Sequence, residues 1–452
     1  MIDYKKLRTP LKIIVAYLIF TLLLYAMGPF KWVTYNPFVF WLLNIAFIVA
    51  FIIGWNFGIT LKVTDYQFED STATSIVSSL KYLTTINFLY EVINAFRRFR
   101  LNTFSIGTLI GSIRNGIVDM GGAYREFQSN TDIAGESVLG GTAMTLFNLV
   151  WAFFAFNILI LGIMYFKKFS LYNKIVLCLT IVLIVVEYIA TGTNIGVFRI
   201  ILIFLVLFSI SVAKGSYTFT DKASRKNKRK ILILAISSLV IVLVLFDKIM
   251  QSRGGILLWE SATYNIGGIY LNRDSILFKY MPKGSYMLLI ALSSYLSQGY
   301  YGMSLTLRLP WKPGYGLGHS LALQNIFGNA LKVPHENSYQ FRATQFGWQE
   351  GQQWHTMYSW FANDVTYVGV AIVMLLIGTV FAIAYKDAIK TNNPFAKLVT
   401  YYLVLMTFFI PCNNQLFQST YVLFAFITAL TLWLMSRGDK KIIFTIGGKR
   451  LW

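Results

Sequence analysis

The sequence predicts an all-α, polytopic helical membrane protein with about ten spans, re-entrant pieces and one large extracytoplasmic loop. Two observations carry this. Hydrophobic residues make up 56% of the 452 and charged residues only 13%, whereas soluble domains carry about a quarter charged residues. Apolar runs of roughly 18 residues or more also recur, the length that crosses a hydrocarbon core about 30 Å thick. They are too long and unbroken for the alternating strands of a membrane β-barrel.

The net charge of +21 excludes little by itself. Its distribution says more: basic residues stand beside apolar runs, as the positive-inside rule expects. That points to a lipid bilayer and not to nucleic acid. The two cysteines, Cys178 and Cys412, both fall inside apolar segments, which gives no disulfide framework.

Taken in order, Lys5, Lys6, Arg8 and Lys12 lead into a first span over 11–29, placing the N-terminus in the cytoplasm. No small-residue cleavage site follows, so this run reads as a retained span. A second span covers 37–59. The stretch 71–96 is apolar but carries Lys81 and Glu91 and ends at Arg97, Arg98 and Arg100; it is a third span or an interfacial helix, and parity favours a span. Spans follow at 142–166, 174–191 and 195–213. The basic stretch 214–230 marks a cytoplasmic loop. A span at 231–247 then leads outward. After the interval 250–363, spans at 365–385, 396–410 and 415–435 return the C-terminus to the cytoplasm beside Arg437, Lys440 and Lys441. The organisation is thus 1–249 membrane region, 250–363 outer loop with a re-entrant piece near 286–296, and 364–452 membrane region.

The outer loop holds all three histidines, His319, His335 and His355. It also carries Arg253, Arg273, Arg308 and Arg342, a basic excess that runs against the positive-inside rule on an outer face. An anionic ligand at the membrane surface would account for it, because the guanidinium fork matches phosphate oxygens; internal ion pairing is the competing account. Its many aromatics, among them Trp311, Tyr315 and Trp354, form an interfacial belt by default and can also stack on sugar rings. Arg199 falls inside a span and is a functional candidate there, with snorkelling as the alternative. Gly314, Gly316 and Gly318 before His319 suggest a bent loop delivering one imidazole, a group suited to acid–base work near neutral pH. The histidine spacing holds no metal pair, and no cofactor is implied. Asp364, at the entry to a late span, reads first as a helix cap and second as a catalytic carboxylate.

Three pieces, SYLSQGYYGMSLTL at 294–307, YGLGHS at 315–320 and WHTMYSWFANDVTYVG at 354–369, together with the layout of spans around a late outer loop, resemble the O-antigen polymerase (Wzy-type) or oligosaccharide repeat-unit polymerase family. The resemblance implies a metal-independent glycosyltransferase of the bacterial inner membrane. It would act on undecaprenyl-diphosphate-linked oligosaccharides, moving the growing glycan onto an incoming repeat for O-antigen, capsule or exopolysaccharide, with a chain-length regulator as a further partner. The related ligases use a histidine beside paired arginines. Carried over, His319 is the base, with His335 and Asp364 as further catalytic candidates. Arg253, Arg308 and Arg342 hold the diphosphate, with Arg199 as an additional candidate. Trp311, Tyr315 and Trp354 are the sugar-stacking candidates. Rival readings are a ligase-like enzyme, a membrane O-acyltransferase and a lipid-linked-oligosaccharide flippase. A flippase predicts charges along a central pathway and repeated halves.

Overall fold

The computed structural model describes residues 4–61, 70–99, 101, 105–131, 142–215, 237, 240, 243–252, 263–264, 269–272, 274–280, 285–437, 445–446 and 449–450. Its principal helices are α1 (Thr9–Met27), α2 (Pro37–Thr60), α3 (Asp70–Arg98), α4 (Ile106–Val118), α5 (Met120–Thr131), α6 (Thr142–Trp151), α7 (Ala155–Met164), α8 (Leu171–Ala190) and α9 (Ile195–Lys214). Then come α10 (Tyr286–Thr306), α11 (Leu321–Phe327), α12 (Tyr339–Arg342), α13 (Met357–Lys390), α14 (Pro394–Phe409) and α15 (Thr420–Ser436). The strands described are two or three residues long; Phe30–Lys31 and Thr263–Tyr264 both pair antiparallel with Ile269–Leu271.

Among the described residues, six helical stretches are long and apolar enough to cross a membrane: α1, α2, Leu146–Met164, α8, α9 and α13. Helices α14 and α15 are apolar but shorter. The chain is therefore a helical membrane protein by length and composition. The basic stretch 216–230, most of the expected span 231–247, Arg253 and Arg273 lie outside the described residues.

By its contacts the chain divides into two compact units. The first comprises Met1–Val63, Gly255–Asp387 and Tyr402–Leu423. Proline in the first turn starts both α1 and α2, where its missing N–H costs nothing. Helix α10 extends well past the stretch 286–296 expected as a re-entrant piece. It runs 21 residues, about 30 Å at 1.5 Å per residue, and packs along α1, where Thr21 Oγ1 meets Tyr300 Oη at 3.0 Å. Helix α2 presses Gly54 and Gly58 onto the backbone of α13; a Cβ on Gly54 would stand 2.0 Å from the Leu375 carbonyl oxygen. Lys386, buried near the end of α13, donates to the carbonyls of Ile59 and Leu61, which caps the negative end of α2.

The second unit comprises Thr64–Gly254, Ala388–Tyr401 and Phe424–Trp452. Here α3 follows α8 along its length. Asn173 Nδ2 donates to the Lys81 carbonyl at 2.6 Å near one end, and Arg98 Nε lies 3.4 Å from Glu187 Oε2 near the other. Its Ser, Thr, Lys and Glu content keeps α3 out of the apolar six, yet it packs against a helix within them.

Candidate functional site

The site is organised by a break in α13. Thr366 has φ 61° and ψ 167° inside an otherwise helical run, a conformation that a β-branched residue adopts only under strain. Such a break frees carbonyls from the helical ladder, and these need partners when buried. Trp311 Nε1 donates to the carbonyls of Ala362 and Asn363 at 3.0 and 3.1 Å, and Gly314 N donates to that of Asn363 at 2.8 Å. The broken helix thereby captures the loop 311–320.

The captured loop wraps Asp364. Gly316 N and Gly318 N donate to Asp364 Oδ1 at 2.9 and 3.0 Å; His319 N and His319 Nδ1 meet Oδ2 at 2.9 and 2.8 Å. The glycines follow from this geometry. Gly316 has φ +80°, and a Cβ on Gly314 would stand 2.5 Å from Asp364 Oδ1. Asp364 is thus neither a cap at the start of α13 nor a free carboxylate; it is the centre of the loop, which corrects the cap expectation.

An ionised carboxylate can only accept, so His319 Nδ1 carries the proton, and in the neutral ring Nε2 is the basic nitrogen. No described residue bonds Nε2. The ring lies parallel to Phe361 (centroids 5.5 Å, 6°) and edge-on to Phe417 (5.0 Å, 77°). Behind it, Asn414 Nδ2 donates to the His319 carbonyl at 2.7 Å, and Ser320 Oγ donates to the Phe417 carbonyl at 2.8 Å while capping α11 through Leu323 N. With its side chain 21% exposed, the imidazole is both fixed and reachable.

The arginines differ among themselves. The exposed Arg308 guanidinium lies 4.5 Å from the Tyr35 ring centroid and 4.2 Å from that of Phe346. The two ring contacts hold the guanidinium in place without using its N–H donors, which remain for an anion. Arg342 is tied down instead: Nε donates to the Asn337 carbonyl at 3.1 Å and Nη2 to the Pro310 carbonyl at 2.8 Å. Arg199 belongs to the second unit, is 6% exposed, and has its carbonyl bonded by Tyr401 Oη at 3.3 Å. It is buried among helices and does not snorkel. Arg253 lies outside the described residues.

The remaining candidates are placed as follows. His335 Nε2 meets Glu350 Oε2 at 2.7 Å in a half-exposed pair. The hydrogen bond to Glu350 raises the His335 pKa, with burial opposing it. His355 is buried with neither ring nitrogen bonded, and burial pushes its pKa down to about 3. Trp311 spends its indole N–H on the broken helix. Tyr315 is exposed at the loop tip with φ 50°. Trp354 packs on Tyr295 (centroids 5.2 Å). No three His, Cys, Asp or Glu side chains converge among the described residues, so no residue set is assigned to a metal.

Sequence reasoning missed Tyr35, Phe346, Phe361, Phe417, Asn363 and Asn414. Tyr35 stands in the short α1–α2 turn, where an aromatic reads as interfacial belt; only Asn363, next to Asp364, carried a local signal. Compared with known proteins, the chain matches no family model, no curated protein and no solved structure.

Proposed function

We propose that the protein is a membrane glycosyltransferase that polymerises oligosaccharide repeats carried on undecaprenyl diphosphate, at the outer face of a bacterial inner membrane. The observation that carries this reading is the His319–Asp364 pair, a fixed and reachable imidazole whose Nε2 has no partner among the described residues. An acceptor hydroxyl gives its proton to His319 Nε2 as its oxygen bonds the anomeric carbon of the donor glycan. The bond from that carbon to the diphosphate oxygen breaks, and the lipid diphosphate leaves as an anion. Asp364 stabilises the imidazolium that forms. Arg308, held by the rings of Tyr35 and Phe346, offers the leaving group paired donors. An amphiphilic substrate also gives a reason for building a site from a loop and a broken membrane helix.

The reading is tested with the purified protein in detergent and lipid-linked oligosaccharide. Lengthening of the glycan without a second leaflet is expected of a polymerase and is beyond a flippase. A wild-type protein that leaves the repeats single under these conditions would sink the proposal.

A further inference from the structure

This inference rests on the base assigned above and goes one residue beyond it. We propose that Asn363 is the positioning residue of the site, setting the orientation of His319 and joining the imidazole loop to the turn that carries Arg342. Asn363 is 1% exposed. Its Nδ2 donates to the Gly318 carbonyl at 2.8 Å and to Gln340 Oε1 at 2.8 Å, and its Oδ1 accepts from Tyr339 N at 2.8 Å. Both amide protons are therefore used, along with the carbonyl.

The Gly318 contact matters most. Gly318 C=O and His319 N–H are the two ends of one planar peptide unit. Asn363 holds the carbonyl end and Asp364 holds the N–H end. Two consecutive residues of α13 thus clamp a single peptide plane, and that plane sets the direction in which the His319 side chain leaves the backbone. The other Asn363 bonds reach Tyr339 and Gln340, in the same short helix as Arg342.

Other side chains fail for simple reasons. Aspartate offers no donor. Glutamine adds a methylene where space is short: a Cβ on Gly318 would already lie 2.5 Å from Asn363 Cβ.

The test uses full-length protein labelled with 15N-histidine. Its three histidines allow His319 to be assigned by loss of its signal in His319→Gln. In its neutral form, wild-type His319 is expected to appear as a single Nδ1-protonated tautomer. In Asn363→Leu that signature should give way to mixed tautomers, with glycan turnover lowered at least about tenfold and KM little changed, since positioning acts on the reacting geometry. Gln340→Met, which removes one acceptor of the Asn363 amide, should shift the His319 resonances and lower turnover less. A His319 spectrum in Asn363→Leu that superimposes on wild type overturns the proposal. Should Asn363→Leu not fold, unchanged His319 resonances in Gln340→Met overturn it equally. The spectrum reads the positioning and the wild-type glycan assay reads the reaction, so each idea can fail without the other.

Discussion

His319 and His335 each meet a carboxylate oxygen, at 2.8 and 2.7 Å, and the surroundings of the two pairs have little in common. Three backbone amides and the ring nitrogen converge on Asp364. Glu350 binds His335 through one oxygen, and its other oxygen is buried with no hydrogen-bond partner. The first pair is woven between a loop and a broken helix. The second joins two points 15 residues apart on one excursion. A short distance between two side chains is therefore a weak guide to function; what separates the pairs is how many other atoms fix their geometry.

The contrast predicts a large difference in activity. His319→Ala should lower glycan lengthening by about 10²- to 10⁴-fold, the range for loss of a general base. Asp364→Asn should also fall steeply, because an amide can present a donor to Nδ1 and disturb the tautomer. His335→Gln should stay within a few-fold of wild type in the same assay. Comparable losses at His319 and His335 would erase the distinction.

The two arginines sharpen it. Arg308→Ala should cost about 10- to 100-fold in lengthening, as expected for one charge-assisted contact to a diphosphate. Arg308→Lys should recover little, since an ammonium lacks the planar fork that presents paired donors. Arg342→Ala should instead lower thermal stability, by about 1–3 kcal/mol for two carbonyls losing their donors. A stable Arg342→Ala protein with no activity would reverse these assignments.

A smaller effect separates His335 from His355 by pH. His335 has a raised pKa, so its contribution is fully present below the unfolded value of about 6.5 and is lost as pH rises through the folded value. His355, pushed down to about 3, acts in the opposite sense. Below about pH 6.5 the unfolded chain takes a proton that the buried ring refuses, so stability falls until pH 3 is reached. Thermal melts across pH should show Glu350→Gln destabilised at pH 6 and equal to wild type at pH 9. In the same melts, His355→Phe should flatten the acid limb. A Glu350→Gln deficit that is constant with pH would count against an ionic pair.

The smallest expected change is at Thr366. Glycine there adopts the positive φ without strain, so Thr366→Gly should be neutral or stabilising by about 1 kcal/mol, with the loop 311–320 still captured. Marked destabilisation would mean that the Thr366 side chain, not the backbone break, organises the site.

How far the sequence reached follows from which interactions are local. Apolar run length gave the all-α membrane class, because crossing a hydrocarbon layer is a property of consecutive residues. The glycines before His319 announced a bent loop for a similar reason. Helix α3 was legible only as an ambiguity: its polar content hides a helix whose polar groups find partners once packed, as Arg98 does in Glu187 of α8. The aromatic faces of Arg308 come from the α1–α2 turn and from Phe346, and no periodicity links them.

The sequence alone thus determined that the chain is helical and membrane-embedded, and that all three of its histidines fall in one late stretch. Tertiary structure alone decided that Asp364, 45 residues from His319, is its partner, and that Arg308 and not Arg342 presents a free edge. The reason is physical. Helices are set by neighbours along the chain, whereas a hydrogen bond between a loop and a broken helix exists only once folding has freed the carbonyls and closed the distance.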